Sequence, residues 1–238
     1  MKTQKSDVLT TIAEYTPEQA LALAIVNYEH YGFVRSGQGY NVYDDQGVYT
    51  HSVPDSKTLL ISQMESQVVP HSEYVKQAKE IIDKFNGRFM MKKLNNSMND
   101  FENGVAAAFA AGNQMTKFHV AIIASIPNMN EVDKKRKQVE DRLESLRFTS
   151  ENFGTVRERY DITVEVIDCK FIQNSGVYMI TTVHNNKDVI KFWWRDQPDI
   201  NDIIEGKNIR IRGTVNKHEN NRFTQTKETM MNRVKVTV

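Results

Sequence analysis

The stretch DITVEVIDCKFI, residues 161–172, decides the fold of the C-terminal third of the chain. Apolar residues occupy every second position from Ile162 to Val166, as in a strand that buries one face. The alternation then changes phase and continues from Ile167 to Phe171, which is the pattern of a β-bulge. Because a bulge bends a strand so that it can serve both halves of a small barrel, this stretch predicts the first strand of one.

Four further strands are predicted downstream. Turn residues at 174–176 and 184–187 close a three-strand meander, and a short helix is predicted at 199–204. The later strands are predicted at residues 177–183, 188–195, 208–217 and 229–238. This order, with a helix between the third and fourth strands, is that of the OB fold, so we expect a small all-β five-stranded OB-fold barrel at residues 155–238.

An α+β domain is predicted upstream, at residues 16–130. Its first helix opens on a capping-box pattern, with Thr16 as the N-cap and Gln19 three residues later, and it ends at Gly32. Residues 1–15 carry no cap and no period, and they are predicted to be a flexible N-terminal arm.

Two alternating runs, at 40–43 and 48–51, flank the turn-rich sequence DDQG and predict a β-hairpin with exposed tyrosines. Helical spacing predicts a second helix over residues 72–86, with Gly87 beyond its end. The other elements predicted here are a short strand at 88–94, a helix capped by Asn96 or Ser97 that runs through Phe109, and a buried strand at 118–126. A charged helical connector is predicted at 131–154.

Charge is unevenly distributed along the chain. Residues 206–238 hold eight cations and two anions, a net charge of +6, whereas the whole chain carries +1. On a β-rich segment, such an excess is expected of a surface that contacts phosphates, although an ordinary solvated face is the alternative. The candidate nucleic-acid-binding cations are Lys191, Arg195, Arg210, Arg212, Lys217, Arg222, Lys227, Arg233 and Lys235.

Aromatic residues accompany these cations. Alternation along the third barrel strand puts Trp193 and Trp194 on opposite faces, so burial in the core accounts for only one of them. Trp193 shares its face with two cations and is the predicted platform on which a base would stack. Phe223 lies in the hairpin between the last two strands, the loop that OB folds use to hold a ligand, and it is a second candidate beside the alternative of hairpin packing.

The segments GKNIRIRG (206–213), FTQTKET (223–229) and MNRVKV (231–236) resemble the terminal strands of OB-fold proteins encoded by tailed bacteriophages. The likeness covers about the last third of the chain. It implies a role in phage DNA replication, recombination or repair, in the host cytoplasm. It implies nothing about the function of the N-terminal domain.

Motifs that mark catalytic and cofactor sites do not occur in the sequence. The six histidines lack metal-site spacing, there is no P-loop and no nucleophile elbow, and Cys169 is the only cysteine. No catalytic residue, metal or cofactor is therefore predicted. A nuclease is a minor alternative, for which the acidic pairs Asp44 with Asp45 and Asp133 with Glu140 would be the candidate ligands. The first pair lies in a predicted turn and the second on a predicted solvated helix, which disfavours this interpretation. No apolar run is long enough for a membrane span, which predicts a cytoplasmic protein.

The sequence thus predicts a non-catalytic protein that binds single-stranded nucleic acid, DNA in the first place with RNA as an option, and that works beside replication or recombination proteins. The alternative is a protein-binding adaptor whose barrel recruits or inhibits a polymerase, a helicase or a host factor. Salt dependence separates the two, because phosphate binding releases counterions.

Overall fold

The computed structural model describes residues 15–195 and 205–237. The elements are α1 (Pro17–Tyr31), β1 (Tyr40–Tyr43), β2 (Tyr49–Val53), α2 (Ser56–Glu65), α3 (Ser72–Leu94), α4 (Asp100–Ala110), α5 (Lys117–Ser145), β3 (Arg159–Ile172), β4 (Val177–His184), β5 (Asp188–Trp194), β6 (Asn208–Asn220) and β7 (Lys227–Thr237). The chain divides into two compact units, Met1–Asp133 and Lys134–Val238. The helix predicted at 199–204, and the predicted arm up to residue 14, lie outside the described residues.

The first unit packs helices around an apolar core, with the β1–β2 hairpin beside them. The capping box at the start of α1 is confirmed: Thr16 Oγ1 accepts the N–H of Gln19, and Gln19 Oε1 accepts the N–H of Thr16. Gly32 follows the helix with φ of +67°, a conformation that favours glycine. The predicted hairpin is also confirmed, since β1 and β2 pair antiparallel.

The end predicted for the second helix was wrong. Gly87 does not stop α3, and the strand predicted at 88–94 is the continuation of that helix. The reason is burial: Phe85 and Phe89 lie one turn apart on the core face, whereas Gly87 is exposed with open space around it. A glycine on an exposed helix face costs only about 1 kcal/mol relative to alanine, which the buried phenylalanines offset.

Three more corrections concern the same unit. The cap of α4 is Asn99, whose side chain accepts the N–H of Glu102, and not Asn96 or Ser97. The predicted strand at 118–126 is the start of α5, because Val120, Ile123 and Ala124 are buried at helical spacing. A continuous apolar run does not distinguish a buried strand from a buried helix. The helix α2, with an Asp55 N-cap, was not predicted.

The second unit contains a closed five-stranded barrel in the order β3-β4-β5-β7-β6. All neighbouring strands pair antiparallel except β5 and β7, which are parallel. The predicted bulge is confirmed, since the register of β3 against β4 shifts between Val166 and Asp168. The N-terminal part of β3 therefore pairs with β6 and its C-terminal part with β4, and this closes the barrel.

Alternation along these strands fills the barrel interior. Its largest fully buried side chains include Ile180, Ile190, Phe192, Ile209, Ile211 and Met231. Each contributes about 1.5–3 kcal/mol through burial. Outside the barrel, Leu143 and Leu146 at the end of α5 cover Val183 and Val189, so this part of the segment predicted as a connector packs on the strands.

Candidate nucleic-acid interface

The two tryptophans of β5 point in opposite directions, as predicted. Trp194 is 5% exposed and belongs to the barrel core, whereas Trp193 is 48% exposed on the outer surface. Across the sheet, Trp193 pairs with Met179 of β4, and Met179 pairs with Lys170 of β3. An indole that keeps half of its surface in water while sitting on a strand is a suitable stacking platform.

The neighbouring row of outward residues on the same three strands is Asp168, Thr181 and Lys191. Lys191 donates to Glu228 at 2.7 Å, and the Glu228 side chain is only 3% exposed. This cation is therefore engaged in a partly buried ion pair between β5 and β7. Burial raises the pKa of Asp168 above its ordinary value, an effect that Lys170 opposes.

A basic face lies on the outer surface of β3, β6 and β7. We define it by Arg159, Asp161, Arg210, Arg212 and Lys235, which together carry a net charge of +3. Arg212 pairs across the sheet with Asp161 on one side and with Lys235 on the other. Like charges directly opposite on neighbouring strands destabilise a sheet, so Arg212 and Lys235 form a site where a bound anion would relieve repulsion.

The cations of this face are not equally available. Arg210 donates to both carboxylate oxygens of Asp161, at 2.7 and 3.2 Å, and this hydrogen bonding holds the pKa of Asp161 below its ordinary value. Arg159, Arg212 and Lys235 make no ion pair within residues 15–195 and 205–237. Arg159 was missed by the sequence analysis, because it precedes the predicted strand that begins at residue 161.

β7 lies between β5, the strand of Trp193, and β6, which carries Arg212. The last registered pair of β5 and β7 is Phe192 with Met231, so Trp193 lies beside the bulge of β7 that carries Arg233. Arg233 is exposed with φ of +50°. Lys235 follows two residues later, roughly 10 Å from the level of Trp193 along the strand direction. Trp193, Arg233, Lys235 and Arg212 are thus all exposed, and they lie on the neighbouring strands β5, β7 and β6.

The remaining predicted residues lie elsewhere. Arg195 follows β5 and is exposed. Lys217, Arg222, Phe223 and Lys227 belong to the β6–β7 hairpin, whose base is level with the first residues of β5, at the opposite end of that strand from Trp193. Lys217 is paired with Glu219. The eleven predicted residues thus do not form one cluster.

The hairpin loop is held firmly even though Phe223 is 95% exposed. Asn221 Oδ1 accepts the N–H groups of Phe223 and Thr224, and Asn221 Nδ2 donates to Glu228 at 2.7 Å. Thr226 Oγ1 donates to the carbonyl of Leu143. An ordered loop that displays a phenylalanine to solvent is a second place where an aromatic ring is available for contact.

Among residues 15–195 and 205–237, no group of three or more His, Cys, Asp or Glu side chains is arranged to hold a metal ion. None of the helices in that part of the chain has the length and apolar content that crossing a membrane requires. Comparison with family models, with curated proteins and with solved structures found no match to the chain.

Proposed function

We propose that the barrel is an OB-fold barrel and that the protein binds single-stranded nucleic acid, preferentially DNA, without catalysis. The observation that carries this proposal is the outward, half-exposed Trp193 on β5, together with Arg212, Arg233 and Lys235 on the next two strands, which are exposed and make no ion pair within the described residues. The setting that fits is DNA replication, recombination or repair of the kind that tailed phages carry out. Other replication or recombination proteins are the expected partners.

The strand order supports the assignment to the OB fold. OB folds are small five-stranded Greek-key barrels that bind oligonucleotides over the second and third strands and the loops beside them. Here the first barrel strand, β3, is bulged and pairs with the second and the fourth, and the third strand pairs in parallel with the fifth. Trp193 lies on the third strand and Met179 on the second, which supports this mode of binding.

Base stacking and phosphate contacts would both contribute to the binding free energy. One base stacked on an aromatic ring contributes about 1–3 kcal/mol. Each phosphate neutralised on a single strand contributes about 0.7 to the slope of log K against log salt. With contacts to Arg159, Arg212, Arg233 and Lys235, the slope would be roughly −3. Binding of this kind tolerates any sequence, because every base has a face on which to stack.

The test is a fluorescence-anisotropy titration of the full chain into labelled single-stranded DNA, single-stranded RNA and duplex DNA of equal length, at salt concentrations from 25 to 300 mM (about the range over which such contacts weaken). We expect the tightest binding to single-stranded DNA, with a slope near −3. No binding to any of the three at 25 mM salt would contradict the proposal. Tighter binding to the duplex would exclude the stacking mode.

A second candidate is the protein-binding adaptor. It is favoured by the pairing of Lys191, Arg210 and Lys217 with carboxylates, and by the exposed rings of Phe171 and Phe223, since aromatic residues are enriched in protein interfaces. An adaptor of this type would bind a polymerase, helicase or host factor with little dependence on salt. Nucleic-acid binding absent at low salt, together with salt-insensitive binding to such a protein, would favour it.

A further inference from the structure

The β1–β2 hairpin of the first unit exposes an aromatic surface. Its tyrosines Tyr40, Tyr43 and Tyr49 are 42%, 56% and 54% exposed, and only Val53 of the two strands is buried. The rings of Tyr43 and Tyr49 contact each other edge to face, with centroids 6.1 Å apart. Within the described residues the sheet has two strands, so each strand keeps one unpaired edge.

This hairpin is also acidic. Residues 36–53 contain Asp44 and Asp45 and neither lysine nor arginine, and residues 16–65 hold six anions and two cations. The turn that carries the two aspartates is ordered, because Asp44 Oδ1 accepts the N–H groups of Gln46 and Val48. The hairpin therefore carries two carboxylates at an ordered turn and exposed tyrosine rings on the strands beside it.

A surface of complementary, positive charge lies on the barrel. The second unit, residues 134–238, holds twenty cations and fifteen anions, whereas residues 1–133 hold eleven cations and fifteen anions. Arg212 and Lys235 lie opposite each other on β6 and β7, where a carboxylate would relieve their repulsion. Tyrosine is among the residues enriched at protein interfaces, where its ring is buried and its hydroxyl stays hydrogen-bonded.

We propose that the β1–β2 hairpin of one copy of the chain docks on the basic face of a second copy. Asp44 and Asp45 contact Arg212 and Lys235 of that copy, and the tyrosines pack beside them. The two surfaces differ, so the contact is head-to-tail and can extend to further copies. One consequence rests on the proposed function: single-stranded DNA and the hairpin compete for the same basic face, so DNA dissociates the assembly.

The test is a charge swap, measured by analytical ultracentrifugation of the full chain without nucleic acid. Asp44→Lys/Asp45→Lys reverses the hairpin tip, and Arg212→Glu/Lys235→Glu reverses the basic face. We expect each double variant alone to associate at least tenfold more weakly than the wild type at low salt, and an equimolar mixture of the two to recover association. Glu80→Lys/Asp83→Lys, an exposed pair on α3 with the same change in charge, is the control and should associate like the wild type.

The outcomes separate this inference from the proposed function. Recovery of association in the mixture supports it even if single-stranded DNA does not bind. A wild-type protein that stays monomeric at low salt and high concentration overturns it, whatever its affinity for DNA, and so does a mixture that fails to recover association. Near-UV circular dichroism shows whether each variant is folded. If the Glu variants do not fold, Arg212→Gln/Lys235→Gln takes their place and should weaken association with wild-type hairpins.

Discussion

The adjacent tryptophans of β5 allow binding and stability to be tested with matched substitutions. Trp193→Ala removes the proposed platform, and we expect an affinity for single-stranded DNA lower by about 1–3 kcal/mol, which is roughly 5- to 150-fold in Kd. Because Trp193 is half exposed, its truncation gives up about 100 Å² of buried surface and at most about 2.5 kcal/mol of unfolding free energy. Trp194→Ala removes a core residue and should cost about 3–5 kcal/mol of stability.

The assays are anisotropy titration for binding and urea unfolding for stability, at one pH and salt concentration. Trp193→Phe is the matched control, since phenylalanine keeps an aromatic face and should retain most of the affinity. Two results would refute the reasoning: an unchanged Kd in Trp193→Ala, or a Trp193→Phe variant that binds as weakly as Trp193→Ala. A larger loss of stability in Trp193→Ala than in Trp194→Ala would refute the assignment of the inner and outer faces.

Three other predictions follow from the barrel. Arg212→Gln should weaken binding of all single strands alike and lower the salt slope by about 0.7, with only a small change in stability, because it removes the like-charge pair with Lys235 together with the opposite-charge pair with Asp161; anisotropy and urea unfolding measure the two effects. Asp168→Asn should tighten DNA binding and raise stability at neutral pH. Since burial raises the folded-state pKa of Asp168, the unfolding free energy of the wild type falls as pH rises from the unfolded-state pKa to the folded-state pKa. The stability gained by Asp168→Asn should therefore shrink below that interval, which unfolding curves taken at several pH values would show. Gly213→Ala should cost about 1–3 kcal/mol, because the added Cβ would lie 2.7 Å from Val234 Cγ2; an unchanged urea midpoint would argue against that packing.

The barrel could be predicted from the sequence because strand alternation is local information. The change of phase after Val166 marked the bulge, and the alternation around Phe192 separated Trp193 from Trp194. Each of these features depends on the two-residue period of a strand, which one buried face imposes on the sequence.

The predictions were wrong where the hydrophobic pattern of the sequence fits more than one structure. The apolar run at 118–126 fits a strand or a helix, and helical burial of Val120 and Ile123 settles it only in three dimensions. The sequence also could not show which cations are paired with carboxylates. Lys191 and Arg210 contact Glu228 and Asp161 only because strand pairing brings these residues together. Strand pairing also separates Phe223 from Trp193, although both were assigned to one site.

The central claim is that a base stacks on Trp193, and tryptophan fluorescence tests it most directly. The chain has two tryptophans, so Trp194→Phe leaves Trp193 as the single emitter. Titration of this variant with unlabelled single-stranded DNA should change the Trp193 emission with the same Kd as anisotropy gives, and duplex DNA should change it much less. Binding seen by anisotropy with no change in Trp193 emission would contradict the claim.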